Sequence, residues 1–179
     1  ASIAGLTTTS DTTIVRSRVS GLTSGARLRV DGSIIRMFGW SGSAGYGLTT
    51  LSGSSAELTD TAITGGGFGV DAGGAVTLTR VTIAGNVLGG LRARAPVTMT
   101  DSTITANYGG GIVAGADFVT ATNSIVADPG LAQPTGPAPG PNCDAPLHSS
   151  GWNLSSESSC GLAGANDLSG VPARLGSFS

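Results

Sequence analysis

A chain of 179 residues is long enough for one domain with a true core. Charged residues make up 11%, aromatics 4%, and nine arginines stand without a single lysine; a net charge of -2 gives no reason to expect nucleic acid, whose phosphates call for clustered cations. Thirty glycines at low charge would suit a disordered segment, but the 39% of hydrophobic residues fall at patterned positions, which excludes one, and no apolar run approaches the roughly 18 residues of a membrane span.

The first 20 residues are rich in Thr and Ser and show no amphipathic helix of the kind that covers a sheet end. A first residue other than Met fits removal of a leader and fits trimming equally. Ile14, Arg16 and Val19, then Leu28, Val30 and Ile35, fit a strand-and-corner template at drifting spacing. Residues 1–53 therefore read as an irregular start, with two or more imperfect coils over 12–53.

Residues 54–128 carry a repeat. Ala56–Ile63, Val76–Ile83, Val97–Ile104 and Val119–Val126 superimpose, and their final positions lie 20, 21 and 22 residues apart. A second element, Gly69-Val70-Asp71, Gly90-Leu91-Arg92 and Gly111-Ile112-Val113, recurs every 21 residues. Val76 and Leu78 alternate with Thr77 and Thr79, the period-two pattern of a half-buried strand. β-Branched residues favour strand, and Gly65 to Gly67, Gly89-Gly90 and Gly109 to Gly111 supply corners. One coil cannot bury its own apolar edge; a neighbour stacked about 4.8 Å away completes both ladder and core. The fold class is all-β, a right-handed single-stranded parallel β-helix of about 21 residues per coil. Leu58, Leu78, Met99 and Ala121 form one predicted interior stack, and Ile63, Ile83, Ile104 and Val126 another. A leucine-rich repeat shares the period but lacks its Leu-x-x-Leu-x-Leu frame; a β-sandwich stays open as the alternative.

Residues 129–141 hold five of the eight prolines and read as a loop leaving the coils, with 142–179 as a distinct end of the same single domain. Cys143 and Cys160, the only cysteines, lie 17 apart. A disulfide there would contribute about 3 kcal/mol and implies an oxidising, extracytoplasmic location; two buried thiols are the alternative. With His148 they fall short of a structural zinc site, so neither metal nor cofactor is expected.

From residue 54 onward the chain resembles the secreted or surface-exposed right-handed parallel β-helix repeat proteins of bacteria, in the broad pectate-lyase-like superfamily, specifically a subgroup with a variable C-terminal anchor. The likeness rests on Val97–Ile104, on Thr122-Asn123-Ser124-Ile125-Val126-Ala127, and above all on Asn142-Cys143 followed by Ser149–Ser155 and Ser159-Cys160-Gly161-Leu162. It implies the fold and secretion, and says little about activity, because the superfamily holds lyases, hydrolases, adhesins and proteins without known activity.

Asp60, Arg80, Asp101 and Asn123 fall on one corner of successive coils, and Asn86 and Asn107 on another, as ladders that fix register. Asp71, Arg92 and Arg94 are the candidate polysaccharide site: in lyase members of the superfamily, acids hold calcium and a basic residue removes a proton. One acid makes a poor calcium site, and only Glu57 and Glu157 add glutamates for a hydrolase pair. Thr77, Thr79, Thr98, Thr100, Thr120 and Thr122 form a second candidate, an outward hydroxyl-and-methyl array like those of ice-binding solenoids, interrupted at Glu57. Trp40, Tyr46, Tyr108 and Trp152 are the aromatics for stacking on sugars, and none repeats between coils. The expectation is a non-catalytic extracellular structural or surface-binding solenoid. Its partners would be a cell-surface polysaccharide or further copies stacked head to tail; a lyase-like enzyme is the runner-up and ice binding third.

Overall fold

The computed structural model describes residues 2–37, 45–115, 118–127 and 139–175. Trp40 and most of the proline-rich segment lie outside the described residues. Strands recur in a fixed order around three faces. β1 (Ser2–Thr8) precedes the first coil, made of β2 (Thr12–Val15) and β3 (Arg18–Ser24). β4 (Arg27–Asp31), β5 (Ile34–Arg36) and β6 (Leu48–Thr50) make the second coil. β7 (Ser55–Thr59), β8 (Ala62–Thr64) and β9 (Phe68–Ala72) make the third, and β10 (Ala75–Thr79), β11 (Thr82–Ala84) and β12 (Gly89–Ala93) the fourth. β13 (Val97–Thr100), β14 (Thr103–Thr105) and β15 (Ile112–Ala114) follow, then β16 (Val119–Thr122) and β17 (Ile125–Ala127). The C-terminal end holds β18 (His148–Ser149), β19 (Leu154–Ser155), a 3-10 turn at Ser158–Cys160, and β20 (Leu168–Ser169).

The first face is a seven-stranded sheet in the order β18-β16-β13-β10-β7-β4-β2. The second runs β5-β8-β11-β14-β17-β19-β20 and the third β6-β9-β12-β15; both hang on β3, which serves two faces at once. Gly21, at φ 84, gives β3 its bend, a conformation closed to most side chains. Every pairing is parallel, and parallel crossovers wind right-handed, so the architecture is a right-handed parallel β-helix.

Three interior stacks follow from the register. Ile14, Val30, Leu58, Leu78, Met99 and Ala121 line up on the first face. Val19, Ile35, Ile63, Ile83, Ile104 and Val126 do so on the second. Leu22, Leu48, Val70, Leu91 and Ile112 fill the third, and an isolated bridge extends that column to Cys143. All are buried. The Leu78–Met99 pairing places one residue directly above the other, as a repeat of about 21 requires.

The glycines opening the third face have a steric cause. A Cβ on Gly69, Gly90 or Gly111 would come within 3.0 Å of a methyl of Ile83, Ile104 or Val126, so the isoleucine stack and the glycine column exclude each other's bulk. Only hydrogen at these positions lets the second and third faces meet.

Candidate functional site

The corner between first and second faces is built from left-handed residues: Arg16, Gly32, Asp60, Arg80, Asp101, Asn123 and Trp152, with φ from 45° to 63°. Each N–H reaches the next coil, as Arg80 N does to Thr100 O at 3.0 Å. The side chains in the middle of the row pair along the axis. Arg80 donates to Asp60 from Nε at 2.7 Å and Nη2 at 2.9 Å, and Asn123 Nδ2 donates to Asp101 at 2.6 Å. The guanidinium's hydrogen bonds hold the Asp60 carboxyl below the usual range. Just inside, Ser33, Thr61, Ser102 and Ser124 are buried. Their hydroxyls cap carbonyls two residues back, and Ser102 Oγ also accepts from Val81 N at 3.1 Å. Asn86 and Asn107 form the second ladder: Asn86 Nδ2 donates to Asn107 Oδ1 at 2.8 Å, and Asn107 Nδ2 donates to Ile83 O at 3.0 Å.

Asp71, Arg92 and Arg94 converge on the outside of the third face. Asp71 is 2% exposed, and both its oxygens are occupied. Arg92 donates from Nε at 2.9 Å and Nη2 at 2.7 Å, and Arg94 Nη2 bridges both oxygens at 2.8 Å. Arg92 also donates to the Tyr46 hydroxyl at 3.2 Å, and its guanidinium lies 5.2 Å from the Tyr46 ring and 4.8 Å from the Phe68 ring. Its hydrogen bond to Asp71 raises the Arg92 pKa against the opposing effect of burial. A guanidinium that holds its proton this tightly is a poorer base than an ordinary one. Tyr46 was not assigned to this cluster from the sequence because it sits 46 residues from Arg92, before an irregularly spaced strand.

The threonines stand in two in-register columns on the first face. Thr77, Thr98 and Thr120 form one; Thr79, Thr100 and Thr122 form the other, which Thr59 extends. Among the described residues, none of these side-chain hydroxyls has a hydrogen-bond partner. The first column is bounded by Glu57 on one side and His148 on the other. Glu57 in turn receives Arg27 and Arg29 at 2.6 Å each, and their hydrogen bonds hold its carboxyl below the ordinary value.

The two cysteines are bonded, with Cα atoms 4.8 Å apart and both side chains buried. Asp167 organises the end beyond them, accepting from Ser149 Oγ at 2.6 Å, Asn153 N at 2.8 Å and Gly164 N at 2.6 Å. Burial pushes the Asp167 carboxyl up, but these hydrogen bonds together outweigh it and hold the group below its usual value. No group of three or more His, Cys, Asp or Glu that could hold a metal occurs among the described residues. No helix there is long and apolar enough to cross a membrane.

A family model described as the right-handed β-helix region matches residues 2–159. The chain belongs to the right-handed β-helix family. The match begins at the first described strand, so the β-helix includes the irregular N-terminal coils as well as the regular ones. No curated protein and no solved structure matches the chain.

Proposed function

We propose that this β-helix is a non-catalytic extracellular module that binds a surface polymer, a cell-surface polysaccharide above all, through its outer faces. The observation that carries the reading is the state of Asp71. Its carboxylate is buried and fully engaged by two arginines, so the one cluster resembling a lyase site has its acid and its cations committed to each other. The disulfide supports an extracellular location, since such bonds persist in oxidising compartments. The unpartnered threonines and the exposed corner ladder supply the polar, regularly spaced surface that adhesion needs. Incubation with acidic and neutral polysaccharides tests the reading. The expected result is retention on an insoluble polymer with no release of reducing ends and no rise in ultraviolet absorbance from unsaturated products. Release of either product overturns it in favour of a lyase-like or hydrolytic enzyme.

Charge distribution favours a second reading, head-to-tail stacking of copies. Residues 1–57 carry Arg16, Arg18, Arg27, Arg29 and Arg36 against Asp11, Asp31 and Glu57, the last of which takes Arg27 and Arg29. Residues 96–179 carry Arg174 against Asp101, Asp144, Glu157 and Asp167 among the described residues. Opposite charge at the two ends of a coil stack steers unlike ends together, at a strength that salt screens. Light scattering over protein concentration should show growth at low salt that reverses at high salt; a monomer at both overturns it. Ice binding through Thr77, Thr79, Thr98, Thr100, Thr120 and Thr122 is weakened by the charged Arg29–Glu57 pair beside them. Absence of thermal hysteresis is the expected outcome.

A further inference from the structure

The left-handed corner that runs along the β-helix is glycine or polar in every coil until Trp152. There an indole stands 65% exposed at φ 63, a conformation that non-glycine side chains rarely adopt. Burial returns little for either the strain or the apolar surface in water. The left-handed backbone is common to the whole corner, so what sets this position apart is the exposed indole itself. The neighbouring outward column changes character at the same level. It reads Ala62, Thr82 and Thr103 through the middle coils and becomes Ile125, Leu154 and Leu168 beside the indole.

These side chains floor an open groove of about 520 Å³, within the size of small-ligand sites. Its rim is amide. Asn123 spends Nδ2 on Asp101 and keeps Oδ1, and the Asn166 side chain has no hydrogen-bond partner among the described residues. Asp167 also lines the groove, but Ser149, Asn153 and Gly164 occupy its two oxygens, and no cation is among the lining residues. The groove therefore offers a broad apolar floor, amides that both donate and accept, and nothing to neutralise an anion.

We infer that Trp152 is the platform of a binding subsite for a neutral pyranose ring of a polysaccharide. The C–H face of such a ring lies on the indole, and its equatorial hydroxyls meet Asn123 Oδ1 and the Asn166 amide. The inference deepens the surface-binding reading and rests on it, naming the ligand class and the place.

The test titrates the intact, disulfide-bonded chain with soluble neutral gluco-configured oligosaccharides, following the Trp152 indole N–H by NMR. The expected result is a saturable shift of that resonance and a weaker response to uronate oligomers. Trp152→Ala should weaken binding by about tenfold or more, the scale of one lost aromatic contact, while Trp152→Tyr retains part of it. Trp152→Gly relieves the left-handed strain, so it should melt no lower than the parent while losing binding, which separates recognition from folding. Asn166→Ala should cost a smaller factor. Neutral oligosaccharides that leave the indole unmoved, or that bind Trp152→Ala as tightly as the parent, overturn the inference. Retention on an insoluble polymer through another face would then leave the surface-binding reading standing. Binding at Trp152 with cleavage of the oligosaccharide would overturn the non-catalytic reading alone.

Discussion

The middle coils and the C-terminal end solve one problem with different chemistry. In the middle, Leu58, Leu78 and Met99 stack under one face while Ile63, Ile83 and Ile104 stack under the next. Toward the end the same columns shrink. The first continues from Met99 through Ala121 to Ser149, and the second from Ile104 through Val126 and Ser155 to Ser169. Both columns trade aliphatic side chains for serine, and a disulfide and a hydrogen-bonded carboxylate stand beside them. A solenoid whose coils rely only on their neighbours must replace lost hydrophobic contact locally. Here it does so with a covalent bond and with Asp167.

The largest effect should therefore come from the disulfide. Replacing both cysteines, Cys143→Ala with Cys160→Ala, removes a constraint worth about 2–5 kcal/mol in small secreted domains. The loss should be confined to the end. Hydrogen exchange is expected to show Ser150, Leu154 and Leu168 amides losing protection while Leu78 and Ile83 keep theirs. Equal loss in both regions would mean that the stack behaves as one cooperative unit and that the contrast drawn here is wrong.

Met99→Ala strikes the other side of the contrast. Its side chain is fully buried, and such truncations cost about 2–5 kcal/mol. Ser155→Ala, in the shrunken column, removes one side-chain bond from Asn142 at 3.1 Å and should cost about 1 kcal/mol. Chemical denaturation of both variants measures the ratio. Similar losses would indicate that the serines of the end are as tightly held as the core of the middle coils.

Much of the middle was legible because each coil states the pattern afresh. Val76–Ile83 and Val97–Ile104 give register by simple superposition, and Gly69, Gly90 and Gly111 mark the third face. The start was harder to read. β3 serves two faces through Gly21 with no spacer, and 11 residues separate β5 from β6, so the period is hidden although the coils are present. At the candidate sites, Asp71 with Arg92 and the threonine columns follow from spacing. The Tyr46 contact does not, because it depends on how an irregular segment returns to the stack. The change from Thr103 to Ile125 and Leu154 in an outward column was written in the sequence, but strands so short do not announce which face their aliphatic residues take.

Acid sharpens the comparison with the smallest effect. The Asp167 carboxyl is held below its ordinary value, so its contribution to stability is complete above the unfolded value of about 4 and fades as pH falls through the lower folded one. Asp60 is also held low, by Arg80, but on an exposed corner where salt screens the pair. Acidification at high salt should therefore spare the Asp60 corner and still loosen the end, because the Asp167 donors are a hydroxyl and two backbone N–H groups, with no cation among them. Asp167→Asn should remove the acid step in protection around Asn153 and Leu168, and Asp60→Asn should leave it in place. An acid step that vanishes in strong salt would assign it to surface ion pairs, and the carboxylate would no longer explain how the end holds together.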